Sequence, residues 1–241
     1  EIRPRDWSSD VCSSDLRMNV FVVTPYFNPN MEWLRQAHAS VHAQTVPCHH
    51  VLVCDGGPVA EVPGFVGSHL VGRRNYGDFG DTPRFIGTYF AVASDADAVA
   101  FLDADNWFYP NHIEGALACA EANGLDAVCT ARMLHRIDGS PMVKCPWVTA
   151  NPLVDTNCLI IRKGAFRQMV TWVLGEQNQA LGWDQVVWRG MIESGLNLGF
   201  LDQATVAYRT NHAIHYQYAG ETPPPGATIT VSVPRDQLAG T

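Results

Sequence analysis

From Asn19 onward the chain alternates short runs of β-branched and apolar residues with segments whose apolar positions recur every three or four residues. Val20 to Thr24 reads as a buried strand, and Val51 to Cys54 as a second one ending on Asp55-Gly56-Gly57. Between them a polar turn through Pro25 and Pro29 leads into a helix expected over Glu32 to Gln44, entered at Asn30. A glycine-rich irregular stretch then runs to Asp81. That residue has the form of an N-cap for a helix with Pro83 in its first turn and Ile86, Tyr89, Phe90 and Ala93 on one face. Ala98 to Leu102 is the next strand. Pro110 opens a helix carrying Ile113, Ala116, Leu117 and Ala120 at helical spacing, and Ala127 to Ala131 is a further strand. This βαβα order predicts an α/β three-layer sandwich around a mostly parallel central sheet.

The second half is less regular. It offers a strand at Asn157 to Ile161, helices at Gly164 to Leu174 and Trp183 to Glu193, and two short strands at Leu198 to Leu201 and Thr205 to Tyr208. After Tyr218 the chain turns Pro-rich at Pro223 to Pro225, then offers Thr228 to Val233 as a lone strand or tail. The first seventeen residues stand apart, because Asp6 to Leu16 resembles a translated sequencing adapter and carries no apolar h-region. The expected organisation is a non-native or disordered prefix at 1–17, one domain at 18–218 and a Pro-rich tail at 219–241. The domain divides into halves at 18–105 and 106–218.

Composition narrows the chemistry. Of 241 residues 46% are hydrophobic, yet the most apolar region, Phe90 to Leu102, is broken by Asp95 and Asp97, short of the ~18 apolar residues of a membrane helix. A net charge of −8, or −6 without the acids and arginines of the first sixteen residues, argues against nucleic acid as a partner. An acidic protein that binds an anionic ligand then needs a metal ion or a few placed arginines. Outside the prefix six cysteines remain with no Cys-x-x-Cys, which reads as reduced core thiols and a cytoplasmic protein, with peripheral association at the membrane as a further option.

In open α/β sheets ligands bind beyond the carboxyl ends of the strands, which singles out Thr24, Asp55, Asp103 and Asp105. Asp103-Ala104-Asp105 places two carboxylates at i, i+2 where the chain leaves the pleat, hard oxygen donors of the kind Mg²⁺ or Mn²⁺ share with substrate phosphates. Arg84 near a helix start offers a fixed cation beside a diphosphate, and Asp55 an acceptor for a ring N–H. His38 and His42 have the i, i+4 spacing of a metal pair but no companion ligand, so they read as polar-face residues, and His49-His50 reads as a turn feature. Trp107, Trp183 and Trp188 are available as sugar-stacking surfaces, with core packing as the alternative for Trp188.

Between Val20 and His212 these pieces, in this order, resemble the GT-A nucleotide-sugar glycosyltransferases of family 2. Thr24-Pro25-Tyr26-Phe27-Asn28 is similar to the family's opening turn, Asp55-Gly56-Gly57 to its uracil-reading segment, and Asp103-Ala104-Asp105 to its metal-binding Asp-x-Asp. Arg84, Gly87 and Ala91 keep the family's Arg-x-x-Gly and Ala spacing, with Phe85 where Asn is preferred. Asn106 replaces a frequent third Asp, and Trp183 replaces the Glu before the base-bearing Asp184. Tyr208 to His212 is similar to the late segment that lends a His to the metal. The resemblance implies a UDP-sugar donor contacted by Thr24, Pro25, Tyr26, Asp55, Arg84 and Asp103, and Mn²⁺ or Mg²⁺ on Asp105, Asp103 and His212. It further implies a glycan, lipid-linked or small-molecule acceptor near Trp183 and Trp107, and inversion with Asp184 as general base. The alternative is a GT-A-like domain that binds a nucleotide sugar or glycan without turnover. Neither G-x-G-x-x-G nor a P-loop string occurs, and Thr24 to Asn28 lacks the glycine-rich loop of a nucleotidyltransferase.

Overall fold

A computed structural model describes residues 18–57, 62–65, 67–149, 153–174 and 182–229. At its centre lies β1 (Val20–Tyr26), buried along all seven residues, as a strand covered on both faces must be. It pairs in parallel with β2 (Cys48–Cys54) on one side and β4 (Ala98–Phe101) on the other, while β3 (Ser68–Val71) extends the parallel set beyond β2.

α1 (Met31–His42) starts where expected, because the Asn30 side chain accepts from the Glu32 and Trp33 amides. α2 (Asp81–Ala93) starts differently. Its N-cap is Gly80 at φ 91°, and the cap is supplied from outside the helix by Asp78, whose carboxylate accepts from the Gly80 and Thr82 amides. Asp81 is therefore the first helical residue and not the cap. The two helices cover opposite faces: His50 of β2 meets His38 of α1, whereas Val23 and Val53 meet Gly87 of α2. A Cβ on Gly87 would lie 2.4 Å from Val23 Cγ1, so Gly87→Ala forces helix and sheet apart. We expect it to destabilise the protein by ~1–3 kcal/mol in denaturant titration. An unchanged midpoint would show that the contact yields without strain.

The second half adds β5 (Trp107–Phe108), α3 (His112–Asn123), β6 (Ala127–His135), β7 (Pro141–Lys144) and β8 (Leu159–Arg162). After α4 (Thr171–Leu174) and α5 (Trp183–Glu193) come β9 (Leu198–Arg209) and α6 (Ala213–Tyr218). The strand order is β3-β2-β1-β4-β8-β6-β9-β5, with β7 hung on β6. Pairings are parallel from β3 to β4, antiparallel on both sides of β8, and parallel again between β6 and β9. Phe101 meets Trp172 edge-on at 4.6 Å, which ties the sheet to α4.

Several expectations are corrected. The two short strands after Leu198 are one strand, because register shifts opposite Thr130 to Arg132 absorb the polar Asp202-Gln203 as bulges instead of ending the pairing. The helix expected from Gly164 is a 3₁₀ segment, Lys163–Val170, before the single α turn of α4. His49 and His50 lie inside β2, and His50 is fully buried with Nε2 2.8 Å from Thr24 Oγ1 and Nδ1 2.8 Å from His38 Nδ1. Burial holds its pKa well below the ordinary histidine value, so it stays neutral there. Part of the expected tail is attached. Thr228 bridges to His212, and Glu221 takes two hydrogen bonds from Arg136. The adapter-like prefix and the end of the Thr228 to Val233 segment lie outside the described residues.

Candidate active site

The carboxyl ends of β1, β2 and β4 open into a cleft of about 720 Å³ whose walls include Pro25, Tyr26, Asp55, Arg84, Asp103, Asp105 and Asp184. Residues 159 positions apart in sequence are thus brought to one place, as the end of a parallel sheet requires. Tyr26 is held by its hydroxyl, 2.5 Å from His69 Nε2. Asp55 follows β2 and is buried, with Oδ1 accepting from the Tyr76 amide at 2.9 Å. Burial raises its pKa, and the amide bonds from the facing loop oppose that shift. Gly56 lets this loop close. Its φ is 81°, and a Cβ there would sit 2.5 Å from the Asn75 amide nitrogen.

Arg84 is buried one turn into α2, and both terminal nitrogens of its guanidinium bond within the protein, whereas Nε is buried with no hydrogen-bond partner among the described residues. Nη1 bonds the Phe79 carbonyl and, at 3.2 Å, Asp81, while Nη2 bonds Asp103 Oδ1 at 2.5 Å. Burial works against its charge, and the two carboxylates more than restore it. Asp81 is the weaker acid of the set, pushed up to about 7 by burial despite Arg84.

Asp103 is gripped from two sides. Asn157, buried on the turn before β8, accepts from the Asp103 amide at 2.7 Å and donates to Asp103 Oδ2 at 2.8 Å. With Arg84 on Oδ1, both carboxylate oxygens already have protein partners. Asp105 is different: the residue is exposed at the cleft, yet desolvation of its carboxyl first, and then the Asp103 charge, push it up to about 6. A divalent cation would remove that penalty. Among the described residues no group of three or more His, Cys, Asp or Glu side chains is arranged to hold an ion. Mg²⁺ and Mn²⁺ are commonly bound by one or two carboxylates plus substrate phosphates, and Asp105 beside Asp103 fits that sparse pattern.

Asp184 enters from the other half, in the first turn of α5 after Gly182 at φ 108°. Burial, and then Asp155, push its carboxyl up to about 6. Its Oδ1 accepts from the Gln185 amide at 2.9 Å. Asp155 itself is engaged by Arg132 and by the amide and side chain of Asn157.

Not every expected residue reaches the cleft. Thr24 is wholly buried and bonded to His50. β1 runs two residues beyond Thr24, so Pro25 and Tyr26, and not Thr24, stand at the cleft. Trp107 packs against His135 at 4.5 Å and Arg209 at 4.8 Å, outside the cleft walls. His212 also lies outside them, beside His215 at 5.4 Å, because the chain turns into α6 there. Trp183 opens α5, but its side chain lies outside what the structure describes. Trp33 and Phe79, which line the cleft, and Asn157 escape a reading that looks only past strand ends. The signal that could have found Trp33 is Asn30, the cap three residues before it on the same turn.

Residues 89–172 match the family described as Glycosyl transferase family 2. They contain both Asp103 and Asp105, as well as Asn157. The chain has a GT-A fold, the fold of the glycosyltransferase-like structures it superposes on. This GT-A chain is 36% identical over 104 residues to succinoglycan biosynthesis protein ExoW of Rhizobium meliloti (strain 1021), which covers 39% of the chain and 32% of ExoW. It is similar in fold to S. aureus TarS 1–349 in complex with UDP, with a TM-score of 0.61 and 15% identity over 83% of this chain and 63% of that one. TarS 1–349 in complex with UDP-GlcNAc superposes with a TM-score of 0.65 and 15% identity over 80% and 59% of the two chains. The match thus spans about a third of the ExoW length and about three fifths of TarS 1–349. No helix among the described residues of this GT-A domain is long and apolar enough to cross a membrane.

Proposed function

We propose that the cleft binds a UDP-sugar and transfers its sugar to a hydroxyl of a glycan, lipid-linked or small-molecule acceptor, with inversion in one displacement. The observation that carries this reading is the convergence of Asp55, Arg84, Asp103, Asp105 and Asp184 on one cleft of about 720 Å³, a size suited to a nucleotide sugar. The UDP and UDP-GlcNAc complexes of TarS, which shares the fold, support the choice of nucleotide.

Each group has a role that its surroundings favour. Asp55, buried and partly satisfied by the Tyr76 amide, retains acceptor capacity for the ring N–H of uracil. Asp105, with Asp103 beside it, would hold Mn²⁺ or Mg²⁺ against the diphosphate. When bound, that ion neutralises the charge developing on the departing nucleotide. Arg84 acts mainly through Asp103, fixing its carboxylate together with Asn157, since both terminal guanidinium nitrogens bond to Phe79, Asp81 or Asp103. Asp184 takes the proton of the acceptor hydroxyl as that oxygen attacks the anomeric carbon.

The nucleotide assignment is tested by calorimetric titration of UDP, GDP and dTDP, with and without Mn²⁺. UDP should bind most tightly. Asp55→Ala should weaken uridine as well as UDP by a factor of ~10, about one buried hydrogen bond. Equal affinity for GDP and UDP in the parent, or uridine binding untouched in the variant, would remove Asp55 from base recognition.

A further inference from the structure

Arg209, the last residue of β9, has had no part in the chemistry so far, yet all three nitrogens of its guanidinium are engaged. Nη1 donates to the Asp105 carbonyl, Nη2 to Gln36 Oε1 at 2.7 Å, and Nε to the Ile137 carbonyl at 3.2 Å. Its guanidinium carbon lies over two indoles, 4.6 Å from the Trp33 ring centre and 4.8 Å from that of Trp107. Its own amide donates to Asn106 Oδ1 at 2.8 Å. One side chain therefore joins α1, the Asp103-to-Asn106 turn, the β6–β7 hairpin and β9.

The acidic turn is then held at both ends. Asn157 and Arg84 fix Asp103 at its start, and Arg209 with its amide fixes the Asp105 carbonyl and Asn106 at its end. Arg209 grips the carbonyl of Asp105 and not the carboxylate. A cation bonded to the carboxylate would compete with a metal, whereas one on the carbonyl sets the peptide plane and leaves the carboxylate lone pairs to the cleft. The neutral Asn106 suits the same arrangement, because a third carboxylate there would add like charge beside Asp103 and Asp105.

We propose that Arg209 is the positioning residue of this turn and sets, through the Asp105 carbonyl, the direction in which the Asp105 carboxylate enters the cleft. This rests on the reading of Asp105 as the carboxylate that serves a nucleotide-bound cation. Lysine cannot replace it, since a point ammonium offers neither a planar fork for three separate acceptors nor a flat face for two indoles.

The test compares the parent with Arg209→Lys and with Gln36→Leu, which removes one anchor from a half-buried helix surface and leaves the core alone. Hydrogen exchange of the peptide spanning Leu102 to Phe108 should quicken several-fold in Arg209→Lys and by less in Gln36→Leu, with exchange elsewhere unchanged. In the same proteins the Mn²⁺-linked part of UDP affinity should fall by roughly tenfold in Arg209→Lys, while uridine binds as in the parent. Unchanged exchange in the folded variants, or uridine affinity falling in step with UDP, would overturn the proposal. If Arg209→Lys does not fold, Gln36→Leu decides by the same two readouts. A parent that binds UDP equally with and without Mn²⁺ would defeat the metal reading of Asp105, and exchange alone would then decide on Arg209.

Discussion

Replacing Asp184 by Asn should lower the transfer rate by a factor on the order of 10²–10⁴ while leaving UDP affinity near that of the parent and the melting temperature no lower. Asn retains an oxygen for the Gln185 amide but cannot accept the acceptor's proton. The same assignment fixes the pH profile. Because burial and Asp155 hold the Asp184 carboxyl at about 6, the parent rate should rise with pH through about 6 and level off above it. Stability runs the other way. The folded protein keeps the Asp184 proton to about 6, whereas an ordinary Asp releases it near 3.8, so this group's contribution declines as pH rises between those values. The amide of the Asp184→Asn variant does not titrate, so that variant should lose both the rate inflection and that share of the stability decline. Other bases are poorly placed: Asp155 is taken up by Arg132 and Asn157, and Glu193 is exposed at the far end of α5. A purified variant transferring sugar at the parent rate would remove Asp184 from the chemistry.

The donor half was legible in the sequence because its strands are short, apolar and terminated by polar turns. Val20 to Thr24, Val51 to Cys54 and Ala98 to Leu102 each mark a strand whose end delivers cleft residues. What escaped was whatever depends on partners distant in the chain. The two-residue β5 carries no period of its own and exists only through pairing with β9. Asp78 lies in the stretch read as glycine-rich and irregular, and its capping of α2 depends on how that loop folds back. Arg84 looked like a cation for phosphate, and its commitment to Asp81 and Asp103 appears only when α2 packs beside the end of β4. Thr24 lies inside the strand because β1 continues two residues beyond it, through Pro25 to Tyr26. His212 was misplaced by the turn into α6, which begins at the next residue.

Asp105→Ala carries the second large effect. Its carboxyl is held at about 6 by desolvation and by Asp103, and it lines the cleft without sharing Asp103's bonds to Arg84 and Asn157. Removing it should lower Mn²⁺-linked UDP affinity by a factor on the order of 10². Uridine, which has no phosphates, should bind as before, because the base is assigned to Asp55 just after β2. Isothermal titration giving the same Mn²⁺ enhancement in variant and parent would place the cation elsewhere.

The central claim is that this cleft breaks the bond between a sugar and UDP, and release of UDP measures it most directly. Purified protein incubated with UDP-sugars, Mn²⁺ and either water or saccharide acceptors should liberate UDP in proportion to enzyme. The parent should turn over, Asp105→Ala should lose activity with its metal-linked affinity, and Asp184→Asn should bind donor normally yet release little UDP. Tight, Mn²⁺-dependent UDP-sugar binding by the parent with no UDP release above the protein-free control, across donors and acceptors, would contradict the account and make this a GT-A domain that holds a nucleotide sugar without transferring it.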